Sequence, residues 1–253
     1  MNTPPTSPRE KRGFLTVTCI AITALGQGHL QAAVINGGFE SGSLSGWNSL
    51  GNVSVSSGIS YGVAGSVLPD TGSFAARLIA GGQTAGTLAS AMGISESALE
   101  ASNQGVNAFD GSLVSQTISA IAGDKLQFRW NFAEKDGYLN GVNSLLFDDW
   151  AFFGIQFNGN PTEVSSLASV AGTGPTTGCT VGGWETLTVD ITDSGDYTFY
   201  FGVVNGIDGM QDSELWLDGG VISGISAVPE PGSLLGLGLL LSSGVWLRSR
   251  RSR

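Results

Sequence analysis

The 253-residue chain carries 21 acidic against 11 basic side chains, a formal net charge of −10. A field of that sign repels nucleic acid and anionic lipid, so nucleic-acid binding is excluded. The only histidine is His29 and the only cysteines are Cys19 and Cys179; His29 and Cys19 fall in a removable N-terminal segment, which excludes a Ser-His-Asp triad, a Cys-His dyad, a His-based zinc site and an internal disulfide from the rest.

Arg9, Lys11 and Arg12 precede an apolar run from Phe14 to Leu25. These are the n- and h-regions of a secretory signal, with cleavage after Ala32 or Ala33. Residues 1–33 therefore read as a signal peptide that engages the Sec translocon. Residues 34–227 read as one domain and 228–253 as a separate C-terminal segment. The domain holds four basic residues, Arg77, Lys125, Arg129 and Lys135, against nineteen acids. It is thus more acidic than the whole chain, and its field favours divalent cations.

Glycine, at 39 residues, is about twice its usual share. Short alternating runs between Gly/Asn/Asp turns predict an all-β sandwich. Val34 to Glu40 reads as the first strand, followed by a turn to Gly46-Trp47. Asn52 to Ser56 alternates with Val53 and Val55 inward, and Phe74, Ala76 and Leu78 mark another strand. Gly86 to Asn103 breaks the pattern and predicts two short helices, the second capped by Ser95. Leu113 to Ile121 returns to β.

The most regular strand puts Leu126, Phe128, Trp130 and Phe132 on one face and Gln127, Arg129 and Asn131 on the other. In 149–157, Phe153, Ile155 and Phe157 oppose Trp150, Phe152 and Gln156. In 184–191, Leu187, Val189 and Ile191 point inward and Trp184, Thr186 and Thr188 outward. Tyr197, Phe199, Phe201 and Val203 form a further strand, and 213–223 the last.

Pro229 and Pro231 flank Glu230 and end the folded part. An apolar run to Leu247 follows, about 14 residues and roughly 21 Å as a helix, short of the ~30 Å hydrocarbon core. Arg248, Arg250, Arg251 and Arg253 close the chain as a membrane stop. Val-Pro-Glu-Pro-Gly, a Leu/Gly-rich segment and a terminal Arg cluster resemble the PEP-CTERM sorting signal. That resemblance implies a hydrophobic C-terminal helix held transiently in the inner membrane of a Gram-negative bacterium. It also implies an exosortase as partner and the cell surface or extracellular matrix as destination.

A second resemblance covers most of 34–223. Asn36-Gly37-Gly38-Phe39-Glu40 with Gly46-Trp47 resembles the opening of galactose-binding-like jelly rolls, a fold shared by many carbohydrate-binding modules. The segments 127–132, 148–152, 195–198, 202–204, 212–215 and 217–219 are similar to a recurrent PEP-CTERM ectodomain. The fold implied is a jelly-roll β-sandwich with a short helical insertion. By this resemblance a structural calcium would join Glu40 and Asp218, although Gly219-Gly220 departs from the apolar residue usual there. Sugar binding requires aromatic faces and hydrogen-bonding side chains; the outward Trp150, Trp184 and Trp216 are the candidates, with core or edge packing as their alternative. Carboxylate catalysis would need a pair such as Glu134 and Asp136; Asp148 and Asp149, adjacent in a strand, point apart. The expectation is a non-catalytic surface or matrix protein that binds or scaffolds exopolysaccharide. Self-associating matrix protein and glycoside hydrolase are the alternatives.

Overall fold

The computed structural model describes residues 33–135, 148–170 and 180–224. Residues 1–32 of the signal segment, Asp136, Cys179, the sorting motif, the C-terminal hydrophobic run and the four terminal arginines lie outside the described residues. Among the described residues no helix is long and apolar enough to cross a membrane.

Among the described residues fourteen strands and two α-helices follow one another, with one 3-10 turn at Gly62–Ala64. They run β1 (Asn48–Leu50), β2 (Asn52–Ser56), β3 (Ile59–Ser60), β4 (Ser66–Val67), β5 (Ala75–Ile79) and β6 (Gln83–Thr84). Helices α1 (Ala85–Ala91) and α2 (Glu96–Ala101) come next, then β7 (Ala108–Ala120), β8 (Lys125–Glu134), β9 (Trp150–Phe157) and β10 (Glu163–Ser169). The chain continues through β11 (Thr180–Val181), β12 (Glu185–Asp190), β13 (Gly195–Gly206) and β14 (Glu214–Ser223). One antiparallel sheet has the order β1-β7-β13-β9-β10, with β6 also on β7; the other has β11-β8-β14-β5-β2, with β12 also on β8. The fold is an all-β sandwich with a helical insertion, as the periodicity predicts.

The core lies between the sheets and is built from the alternation read in the sequence. Leu126, Phe128, Trp130 and Phe132 of β8 meet Phe199, Phe201 and Val203 of β13 and Phe153 of β9. The rings interlock at centroid distances of 4.8 Å for Phe128–Phe201 and 5.1 Å for Phe153–Phe201. Trp47 closes one end, 5.6 Å from Phe199 and 5.2 Å from Phe39.

The opening run is not a strand. Residues 35–38 are turns, and Asn36 and Phe39 have left-handed backbones at φ 51° and 55°. The Asn36 amide bonds the carbonyls of Ser43 and Ser45, so the segment curls into a plug that delivers Phe39 to the core. Gly220 donates to the Gly37 carbonyl at 2.9 Å. A Cβ on Gly37 would stand 2.0 Å from the Gly220 oxygen, and β14 bulges between Asp218 and Val221. Glycine at 37 is thus what lets the plug lie against the last strand, while the Gly219-Gly220 departure fits the bulge itself: Gly219 has a left-handed backbone at φ 59°, and a Cβ on Gly220 would come within 2.2 Å of the Phe128 ring.

The insertion covers the outer face of the first sheet. Leu88 of α1, Met92 at its C-cap and Leu99 of α2 pack with Trp150, Phe152 and Tyr200. Each of these aliphatic side chains, fully buried, contributes about 2 kcal/mol. Thr84 and Ser95 cap the helices by accepting from the Thr87 and Ala98 amides. Phe152 lies over Gly202, where a Cβ would come within 2.2 Å of its ring. Gly202→Ala should therefore destabilise the domain by about 1–3 kcal/mol in a denaturant titration; an unchanged midpoint would mean that this layer is loosely packed.

Candidate functional site

The second sheet presents Glu214 and Trp216 of β14, Arg77 of β5, and Arg129 and Asn131 of β8 on its outer face. Hairpin β3–β4 brings Tyr61 and Val67 over Trp216, which is fully buried. The Glu214 carboxylate, 0% exposed, receives Arg77 through two bonds of 2.5 and 2.6 Å, and also Lys135 and the Tyr61 hydroxyl. Burial alone would raise its pKa, but the hydrogen bonds from Arg77, Lys135 and Tyr61 outweigh burial and hold it below the ordinary carboxylate range. Burial first, then the bond to Glu214 and its charge, push the Tyr61 phenol well above its usual value. The Trp216 indole donates to the Tyr61 oxygen at 3.2 Å, and the Arg77 guanidinium lies 5.9 Å from the Trp216 ring centre. This is a closed polar lock.

All three tryptophans stand on outer faces, as the alternation predicts, but the chain covers two of them itself. Trp150 is 0% exposed beneath the insertion and Trp216 is 0% exposed beneath the hairpin. Neither offers a ring to a sugar, because a stacking platform must be free on one side. Trp184 is half-buried, its indole donating to the Leu68 carbonyl at 3.0 Å. Beside it Arg129 bonds the Trp184 carbonyl, Thr186 and Asp70.

Glu40 and Asp218 converge on one loop. Glu40 accepts from the backbone amides of Ser73 and Phe74 at 3.0–3.1 Å. Asp218, fully buried, accepts from Thr71 N at 2.8 Å and Gly219 N at 2.6 Å. A Cβ on Gly38 would stand 3.6 Å from Asp218 Oδ1 and 3.8 Å from Glu40 Cγ, so glycine keeps the space between them clear. Burial raises the Asp218 pKa against these amide bonds. Among the described residues no three acidic, histidine or cysteine side chains gather around a metal-sized space.

The adjacent acids Asp148 and Asp149 are both buried and bind the protein itself. Asn103 donates to Asp148 at 2.8 Å, and the Gly206 and Ser213 amides donate to Asp149 at 3.0 and 3.2 Å. Glu134 is buried too.

A groove of about 530 Å³ lies open on the outer face of the first sheet, beside the end of α1. Its polar lining is Asn48 and Ser49 of β1, Ser115 and Thr117 of β7, and Thr198 and Tyr200 of β13, with Leu50, Leu113 and Ala91 as its apolar part. Cross-strand register sets these side by side: Asn48 opposite Ser115, Ser115 opposite Tyr200, Thr117 opposite Thr198. The two threonine hydroxyls are 2.8 Å apart. Burial raises the Tyr200 phenol pKa, so it stays a neutral donor and acceptor. No charged residue lines the groove. A volume of this size suits one or a few small polyhydroxy units.

No family model matches the chain, and no curated protein matches it. Among solved structures it is similar to TmCBM61 in complex with β-1,4-galactotriose, with TM-score 0.41 and 14% identity over 75% of this chain and 96% of that one. It is similar to the K3 cleaved adhesin domain of Lys-gingipain from Porphyromonas gingivalis, with TM-score 0.42 and 14% identity over 76% and 99%. It is also similar to the C-terminal family 22 carbohydrate binding module of Clostridium thermocellum Xyn10B, with TM-score 0.34 and 12% identity over 77% and 98%. Likenesses at this level identify no ligand here, and the sandwich itself rests on the strand pairing above.

The groove residues carry a sequence signal that aromatic-led reasoning passes over. Ser115, Thr117 and Thr198 alternate with the inward Val114, Gln116, Ile118, Phe199 and Phe201. Such polar positions usually mean a solvated face; only the neighbouring helix turns them into a groove.

The lock on the other sheet gives a pH prediction. Glu214 has a folded pKa below its unfolded one, so its stabilisation is complete above the unfolded value and is lost as pH falls through the folded value. Glu214→Gln should cost about 3 kcal/mol at neutral pH, by leaving Arg77 and Lys135 partly buried without their anion. It should also flatten the acid limb of the stability curve, measured by urea unfolding from pH 3 to 7. An equally steep acid limb in the variant would assign that limb to other carboxylates.

Proposed function

We propose that the chain is an exported, non-catalytic module that holds a neutral glycan in the groove between α1 and the outer faces of β1, β7 and β13. The observation that carries this reading is the charge-free hydroxyl and amide lining of that groove within a strongly acidic domain. Neutral sugars are recognised by fixed hydroxyl and amide partners with an apolar floor, and Leu50 and Leu113 provide that floor. Acidic polysaccharide is disfavoured by the same chemistry. Each of the four basic side chains of the described residues is already engaged by an acid: Arg77 and Lys135 by Glu214, Lys125 by Asp190, and Arg129 by Asp70.

The sequence supports the address. The signal segment and the PEP-CTERM-like end assign the chain to export through Sec and to sorting by an exosortase. The short C-terminal helix would hold it briefly in the inner membrane before release to the cell surface or matrix. There the groove would bind or scaffold the cell's own exopolysaccharide.

Calcium belongs to this proposal as a structural ligand of the Glu40–Asp218 corner. Besides the two amide bonds, the long contacts of the Thr71 hydroxyl, 3.4 and 3.5 Å, reach the Asp218 oxygens, and an ion would take their place. Glu40, Asp218 and nearby backbone carbonyls would hold the ion, whose contribution is to tie the plug to the last strand.

Retention of residues 34–227 on neutral exopolysaccharide tests the groove. Thr198→Trp, which fills it, should weaken retention at least about tenfold, a loss near 1.4 kcal/mol. Retention should also be insensitive to salt. Full retention by the variant would move the site elsewhere, and concentration-dependent self-association without retention would favour a structural matrix protein. For calcium, a hundredfold excess over Kd should raise the thermal midpoint by about 5 °C in the wild type. Most of that rise should vanish in Glu40→Gln; an equal rise in both would remove calcium from this corner.

A further inference from the structure

The polar side chains that line the groove are of two kinds. Thr117 of β7 and Thr198 of β13 lie opposite each other and satisfy one another through their hydroxyls, 2.8 Å apart. The next row across the same strands is Asn48 of β1, Ser115 of β7 and Tyr200 of β13, with Asn48 opposite Ser115 and Ser115 opposite Tyr200. None of these three side chains has a hydrogen-bond partner among the described residues. Ser115 and Tyr200 are nevertheless only 7% and 6% exposed. Neither hydroxyl is sealed in the interior, and both residues line the groove, so that is where they open. Deeply set polar groups are normally paired; a row of them left unpaired along one line is a row of contacts waiting for a ligand.

The third row is apolar. Leu50 of β1 lies opposite Leu113 of β7, and Ala91 at the end of α1 lines the groove with them. Positions on one face of a strand repeat about every 6.7 Å. Along β7 the groove therefore passes from the leucine row, through the unpaired amide and hydroxyls, to the paired threonines. No aromatic ring offers a flat platform for the face of a pyranose. Leucine ends and an alanine methyl suit a single methyl group instead.

Given the groove as the glycan site, as proposed above, we infer that it selects a glycan bearing an N-acetylated amino sugar. An acetamido group carries a methyl on one side of an amide. The Asn48 side chain supplies both the donor that its carbonyl requires and the acceptor that its N–H requires. With the amide at Asn48, the methyl falls toward Leu50, the next outward position on the same strand, and toward Leu113 beside it. Ser115 and Tyr200 are then placed for the ring hydroxyls. A 6-deoxy sugar would bring a methyl without an amide and leave Asn48 unmatched; a plain hexose would bring neither.

Titration of the ¹⁵N-labelled full chain with triacetylchitotriose and with cellotriose tests the inference, since these β-1,4-linked trimers differ only in the acetamido group. The acetylated trimer should bind at least about tenfold more tightly, with the Asn48 side-chain amide resonance moving as it saturates. Asn48→Asp, which keeps the shape and loses the donor, should weaken that binding about fivefold. Tyr200→Phe, which loses only a hydroxyl, should independently do the same, the amide spectrum of each variant reporting that the fold is kept. Equal affinity for the two trimers, lost for both in Thr198→Trp, would overturn the amino-sugar assignment and leave the groove standing. So would failure to bind either trimer while retention on another neutral glycan is abolished by Thr198→Trp. Binding of the acetylated trimer that Thr198→Trp leaves untouched would overturn the groove along with the assignment.

Discussion

A β-sheet with aromatic side chains on both faces cannot stand in water with one face bare, and that constraint organises this molecule. Beyond the core between the sheets, Trp150 and Phe152 project from the back of one sheet and Trp216 from the back of the other. Each large ring carries enough apolar area to demand its own cover. The first is met by the helical insertion and the second by hairpin β3–β4. Both covers come from the stretch between β2 and β7. The open surface of the domain is what these two covers leave.

The acidic side chains are used in a related way. Glu214 gathers Arg77, Lys135 and Tyr61 beside Trp216, so the hairpin is held by a charged lock as well as by packing. Glu40, Asp149 and Asp218 accept backbone amides in turns and bulges that no strand partner satisfies. A carboxylate in that role takes up donors that would be costly to bury unpaired. Several acids of this domain are thus part of its backbone hydrogen bonding rather than a surface field.

Covering the tryptophans also moves the functional reading. An aromatic platform for sugars would need a free ring, and two of three candidates have none. The hydroxyl-lined groove beside α1 owes its existence to that same cover, since the helix supplies its wall. Recognition there would depend on hydrogen-bond geometry from strands in fixed register, with little stacking.

The sequence by itself determined the strand faces, because side chains in a strand alternate with a period of two. Trp130, Phe153, Leu187 and Phe199 were legible as inward, Trp150, Trp184 and Trp216 as outward, and the helical break at 86–103 with its Ser95 cap was legible from composition. The shape of the opening segment was not: Asn36 and Phe39 turn left-handed because Gly37 can lie against Gly220 more than 180 residues away. Nor could alternation say which outward residues meet water, since outward means only away from the facing sheet. Whether Trp216 is a platform or is buried depends on where hairpin β3–β4 lands, and whether Ser115, Thr117 and Thr198 form a plain surface or a groove depends on where α1 lands. Those are contacts between segments far apart in the chain, set by packing, which no local pattern of residues encodes.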